Sequence, residues 1–97
     1  MTKIWKYTLE NTKNSFEVPC LYADENKETA YNIEKQILYF GTQDGLPTIW
    51  MMVDEDSPKQ NITIELFSTG EPCPKEGYIA TVLLMFDTLV LHAFLVK

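Results

Sequence analysis

QILYFGTQDGLPTIWMMV, residues 36–53, is the stretch that decides the fold. Its two halves, residues 36–42 and 47–53, are rich in β-branched and aromatic side chains, which suit the pleated, half-buried surface of a strand. Between them stands Gln43-Asp44-Gly45-Leu46. Asp-Gly supplies the positive φ angles of a tight hairpin turn, so an antiparallel hairpin is expected here. A second hairpin is expected where residues 78–85 and 88–96 flank Phe86-Asp87. Both of its strands are apolar on two faces, which places them centrally in a sheet or against a partner.

Period-two alternation continues away from these hairpins. Residues 3–9 put Trp5, Tyr7 and Leu9 on one face and Ile4 and Lys6 on the other. Residues 15–19 are expected to pair with that strand across a turn at 11–14. In residues 61–69, Ile62, Ile64 and Leu66 alternate with Thr63, Glu65 and Phe67, the pattern of a half-buried antiparallel strand. Residues 20–35 are polar, acidic and rich in helix formers, with Asp24 placed to cap a short helix over about 25–34. A surface loop is the other reading of that segment. Proline, glycine and charge mark residues 54–59 and 70–77 as loops. The expected fold is mainly β: a small antiparallel barrel or two-sheet sandwich of about seven strands, in one domain over residues 1–97, with a possible short helix or loop insertion near 24–34. Strands this apolar leave adhesive edges, so closure or a homo-oligomer is expected.

Composition narrows the function classes. The chain has 97 residues, 45% of them hydrophobic, which is too apolar for disorder and long enough for one small core. Its basic residues are all lysine, and eight of them against fourteen acids give a net charge of −6. Arginine's planar fork is the usual tool for phosphate and base-edge contacts, so nucleic acid is not an expected partner. The first residues lack the apolar run of a secretory signal. The apolar segment 78–97 carries Asp87 near its middle, a costly position in a bilayer, so no membrane partner is expected. Cys20 and Cys73 form no close pair and read as free thiols in a reducing cytoplasm, with a single disulfide as the other reading.

Catalytic chemistry finds little footing. His92 is the only histidine and lies inside the last expected strand, where a packed ring with satisfied nitrogens is the plain expectation. Cys73 or Cys20 with His92 and Asp87 is the one imaginable nucleophilic set, and no local motif supports it. Cys20, Cys73 and His92 lack the close spacing of zinc ligands. Asp54-Glu55-Asp56 lacks the glycine and downstream glutamate of a calcium loop and reads as a solvated acidic loop. The glycines occur singly, without a phosphate-cradling pattern. A non-enzyme with no catalytic residue, cofactor or metal is therefore expected. Two features suit binding instead. The loop over residues 68–78 has two prolines flanking Cys73, which lower the entropy cost of a preformed contact surface; a pinned connection is the alternative. Trp5, Tyr7, Tyr39 and Trp50 fall in expected strands; core packing is their default role, and any that point outward become interface anchors or a stacking platform.

Several of these segments are familiar together. Ile4-Trp5-Lys6-Tyr7, Pro19, the WMMVD of residues 50–54, the STGEPCP of 68–74, and the closing YIATV and LVLHAF resemble a small family of uncharacterised bacteriophage and prophage proteins. The likeness runs through most of the chain in order, with residues 21–34 as an insertion. No activity comes with this resemblance. It implies a phage or prophage origin and a place in the cytoplasm of the host bacterium. The expected function is a non-catalytic accessory protein that antagonises a host defence or regulatory protein by direct contact. The residues expected to bind a partner or ligand are Trp5, Tyr7, Trp50, Ser68, Thr69, Gly70, Asp54, Glu55 and Asp56. A protein that sequesters a small nucleotide immune signal is the alternative, and a phage structural or assembly component the second.

Overall fold

The computed structural model describes residues 1–21, 33–86 and 88–96. The helix expected over 25–34, with its cap at Asp24, falls almost wholly on residues outside that set, as does Asp87. Seven strands occur among the described residues: β1 (Thr2–Thr8), β2 (Lys13–Pro19), β3 (Ile37–Gln43), β4 (Leu46–Asp54), β5 (Lys59–Ser68), β6 (Tyr78–Leu84) and β7 (Leu89–Val96). They form two antiparallel sheets, β1-β4-β3 and β2-β5-β7-β6, which do not close into a barrel.

Both expected hairpins form. β3 and β4 pair from Gln43↔Leu46 outward, across Asp44 at φ 53° and Gly45 at φ 78°. β6 and β7 pair from Leu84↔Leu89, so their turn begins one residue earlier than the sequence pattern suggests, at Met85. Only β7 of this pair lies inside its sheet; β6 is an edge strand.

One expected pairing is corrected. β2 does not pair with β1: β1 lies against β4, from Thr2↔Asp54 to Thr8↔Thr48, and β2 lies against β5. The connection from Leu9 to Thr12 crosses between the sheets and is held by both. Leu9 N–H donates to Pro47 O at 2.9 Å in one sheet, and Leu66 N–H donates to Thr12 O at 2.8 Å in the other. A corner fixed at each end satisfies the backbone as fully as a hairpin would.

Alternation sends Ile49, Met51 and Val53 of β4 and Ile62, Ile64 and Leu66 of β5 into one core with Leu9, Val18 and Phe40. Fully burying each such aliphatic side chain is worth roughly 1.5–3 kcal/mol. Trp5 and Tyr7 pack against this core from β1. The ring of Tyr7 lies 4.9 Å from that of Phe16, and its hydroxyl donates to Glu17 O at 3.3 Å, which ties β1 to β2 across the two sheets. Edge strands β3 and β6 each carry a register shift, between Ile37 and Tyr39 and between Tyr78 and Ala80. Such bulges twist an edge and interrupt its row of free hydrogen-bonding groups.

Gln36, expected at the start of a strand, instead ends a 3-10 turn, Glu34–Gln36. Its side chain is fully buried. The amide nitrogen donates to Pro19 O at 3.1 Å and Met52 O at 2.9 Å, and the amide oxygen accepts from Leu21 N–H at 3.0 Å.

Candidate binding face and aromatic pocket

Because Ile49, Met51 and Val53 point inward, Trp50, Met52 and Asp54 point to the outer face of the three-stranded sheet. Register sets Lys6 and Tyr39 on either side of Trp50, and Ile4 beside Met52. Tyr39 and Trp50 rings meet at 5.7 Å, and the Tyr39 ring also lies over Gly41, two residues along its own strand. Ile4 and Tyr39 are each 63% exposed, and Trp50 and Met52 are half-buried. The result is an apolar, aromatic face open to solvent. Lys6 Nζ bonds Gln43 Oε1 beside it.

The acidic residues 54–56 stand at one end of this same face. Asp54 Oδ1 and Asp56 Oδ2 accept from the Met1 amine at 3.0 and 2.6 Å, and Glu55 pairs with Lys3 Nζ at 3.0 Å. Hydrogen bonds from that amine and from Asp56 N–H hold the Asp54 carboxyl below its ordinary range, and Asp56 and Asp54 raise the amine. The loop is a rim of partly neutralised carboxylates. No group of three or more metal-ligating side chains occurs among the described residues.

The second place lies on the outer face of the four-stranded sheet. Leu91 and Ala93 of β7 join the core, so His92 and Phe94 point away from it. The His92 ring is held on both sides. Thr69 Oγ1 lies 2.8 Å from Nε2, Thr81 Oγ1 lies 2.8 Å from Nδ1, and Tyr78 Oη lies 2.8 Å from Thr81 Oγ1. The expectation of a packed histidine with both nitrogens satisfied holds. Its hydroxyl partners come from the β5–β6 loop and from β6.

That loop is set by a turn at Ser68. Glu71 N–H donates to Ser68 O at 3.1 Å, and Ser68 N–H donates to Glu71 Oε1 at 3.0 Å. Gly70 takes φ 90°, which a side chain would resist, and the turn thereby aims Thr69 at His92. Phe94 meets Phe67 at 5.4 Å and Tyr78 at 5.6 Å, both edge-on. Phe67 and Phe94 are buried although they lie outside the main core. Loop and rings line an open cleft of about 270 Å³, whose wall includes Glu71, Cys73 and His92. Both cysteines are free, Cys20 buried and Cys73 exposed.

Of the residues singled out in the sequence, Ser68, Thr69 and Gly70 meet at this cleft, and Trp50 and Asp54 share the other sheet's outer face. Trp5 and Tyr7 lie in the same three-stranded sheet but pack against the core on its inner side. Tyr39, Ile4, Tyr78 and Thr81 complete the two places. Alternation sets Ile4 opposite the inward-facing Trp5, whereas Tyr39 owes its place beside Trp50 to the register shift in β3, and nothing local in the sequence brings Thr69 and Thr81 to His92.

The fold and these two places define a small two-sheet β domain with an open apolar face and a ring-lined cleft. The chain belongs to the family described as Domain of unknown function (DUF7352), whose model matches residues 1–97. No curated protein and no solved structure matches it. No helix among the described residues is long and apolar enough to cross a membrane.

Proposed function

We propose that this chain is a non-catalytic accessory binding protein of phage or prophage type, which antagonises a host defence or regulatory protein by covering part of its surface. The observation that carries this reading is the outer face of the three-stranded sheet. Ile4, Tyr39, Trp50 and Met52 form an apolar centre with Tyr and Trp as anchors, and carboxylates 54–56 form a polar margin. Interfaces share that anatomy, and Trp and Tyr head the residues whose truncation costs most binding. The complementary partner surface is apolar at its centre and basic at its edge, in keeping with a net charge of −6 on this chain. The phage or prophage origin rests on the resemblance of the strand and loop segments, and the host target on that origin. Native mass spectrometry of the protein purified from defence-active bacteria tests the reading. A stoichiometric complex whose extra mass is that of a second, different protein supports it, and recovery of only whole-number multiples of the chain, or of the chain with nothing but a small molecule added, contradicts it.

A further inference from the structure

We propose that the cleft beneath the β5–β6 loop is a binding site for one flat, uncharged heteroaromatic ring of nucleobase type. This goes beyond the protein-binding reading, since the cleft lies on the other sheet. Size is the first argument. About 270 Å³ is below the range of pockets that enclose drug-sized molecules, and suits a single ring with its substituents. The second is the wall. Phe67, Phe94 and Tyr78 present aromatic surface, and flat bases stack on such surfaces regardless of their identity.

The third argument is the hydroxyl at the end of the histidine chain. A neutral imidazole has one donor and one acceptor nitrogen. If Nε2 carries the hydrogen, it donates to Thr69 Oγ1, and the Thr69 proton is left to donate to a ligand. If Nδ1 carries it, the hydrogen bonds reverse through Thr81 to Tyr78. Thr69 then donates to Nε2 and offers a lone pair to the ligand. One hydroxyl thus meets either a ring nitrogen or an exocyclic amine, which suits a heteroaromatic edge better than a plain hydrocarbon.

Charge decides against a phosphate inside the cleft. Its lining includes Glu71, and no lysine lines it among the described residues. Together with the chain's net charge of −6, that carboxylate repels an anion. The ring is therefore the recognised part, and any phosphate attached to it is tolerated rather than read.

Titration of the full chain with adenosine, guanosine, cytidine, uridine and their 5′-monophosphates, followed by the aromatic NMR signals of Tyr78, His92 and Phe94, tests this. At least one nucleoside is expected to shift those signals saturably, with its monophosphate several-fold weaker at low salt. Thr69→Val, checked for an intact amide spectrum, should weaken that nucleoside about five- to tenfold, the effect of one lost hydrogen bond. Glu71→Gln should narrow the gap between nucleoside and monophosphate. The proposal is overturned by any of three results: no saturable shift with any nucleoside, tighter binding of the monophosphate, or unchanged affinity in Thr69→Val. It is likewise overturned if the signals depend on protein concentration without ligand and Phe86→Ser abolishes that dependence. The occupant would then be the hairpin tip of a second copy.

Discussion

Gln36 shows how one side chain can join segments that the strand pattern leaves apart. Its three hydrogen bonds tie the end of β2, the residue after Cys20 and the middle of β4. Replacing it with leucine keeps the volume and removes every partner, leaving buried backbone groups unpaired. Gln36→Leu is expected to cost about 3 kcal/mol, read as a lower urea midpoint with unchanged slope. A second residue-scale expectation concerns acid. The Asp54 carboxyl is held below its ordinary value of 3.8 when folded, so its contribution is present above that value and is lost as pH falls through the lower, folded value. Asp54→Asn should therefore flatten the acid limb of the stability profile below about pH 4, where thermal melts at stepped pH would show it. Neither role was legible beforehand. An acidic loop announces its charge but not the amine it meets, and a glutamine beside a strand looks like part of the strand.

At the scale of the elements, the two hairpins were legible because their signals are local. Asp44-Gly45 dictates the turn, and the residues on either side alternate or stay apolar. The partner of β1 was not legible. Alternation tells which face of Lys3, Ile4 and Trp5 is buried but is silent about which strand lies alongside, and the corner at residues 9–12 sends β2 to the other sheet. The β6–β7 turn is a different case. Met85 and Phe86 take φ 50° and 57°, a left-handed conformation that costs side chains other than glycine or asparagine roughly 1 kcal/mol or more each. Phe86 is fully exposed at 102%, with Met85 beside it at 71%, so solvent packing does not repay that strain within the chain. Changing Met85-Phe86 to Asn-Gly should stabilise the protein by about 1–2 kcal/mol, seen as a higher melting temperature. A destabilised variant would show that the tip is held by contacts of its own.

The whole molecule sets two unlike surfaces on opposite sheets. One is the broad apolar face around Trp50, bordered by residues 54–56; the other is the narrow cleft around His92. The sequence carried part of the first: a period of two sets Ile4 opposite Trp5 and Trp50 opposite Met51, but the pairing of β1 with β4 and the register shift that sets Tyr39 beside Trp50 belong to the sheet. It carried only the loop half of the second, because Thr81 and Tyr78 reach His92 through pairing of β6 with β7. The central claim is that the first face binds a partner protein. Ile4→Glu and Tyr39→Glu test it most directly, because both side chains are largely exposed and their loss leaves the core intact. Native mass spectrometry should compare each variant with the parent chain, all purified from the same defence-active bacteria and matched in melting temperature. The account predicts a partner-bound mass for the parent chain that is lost from both variants, and a partner retained in full by both would contradict it.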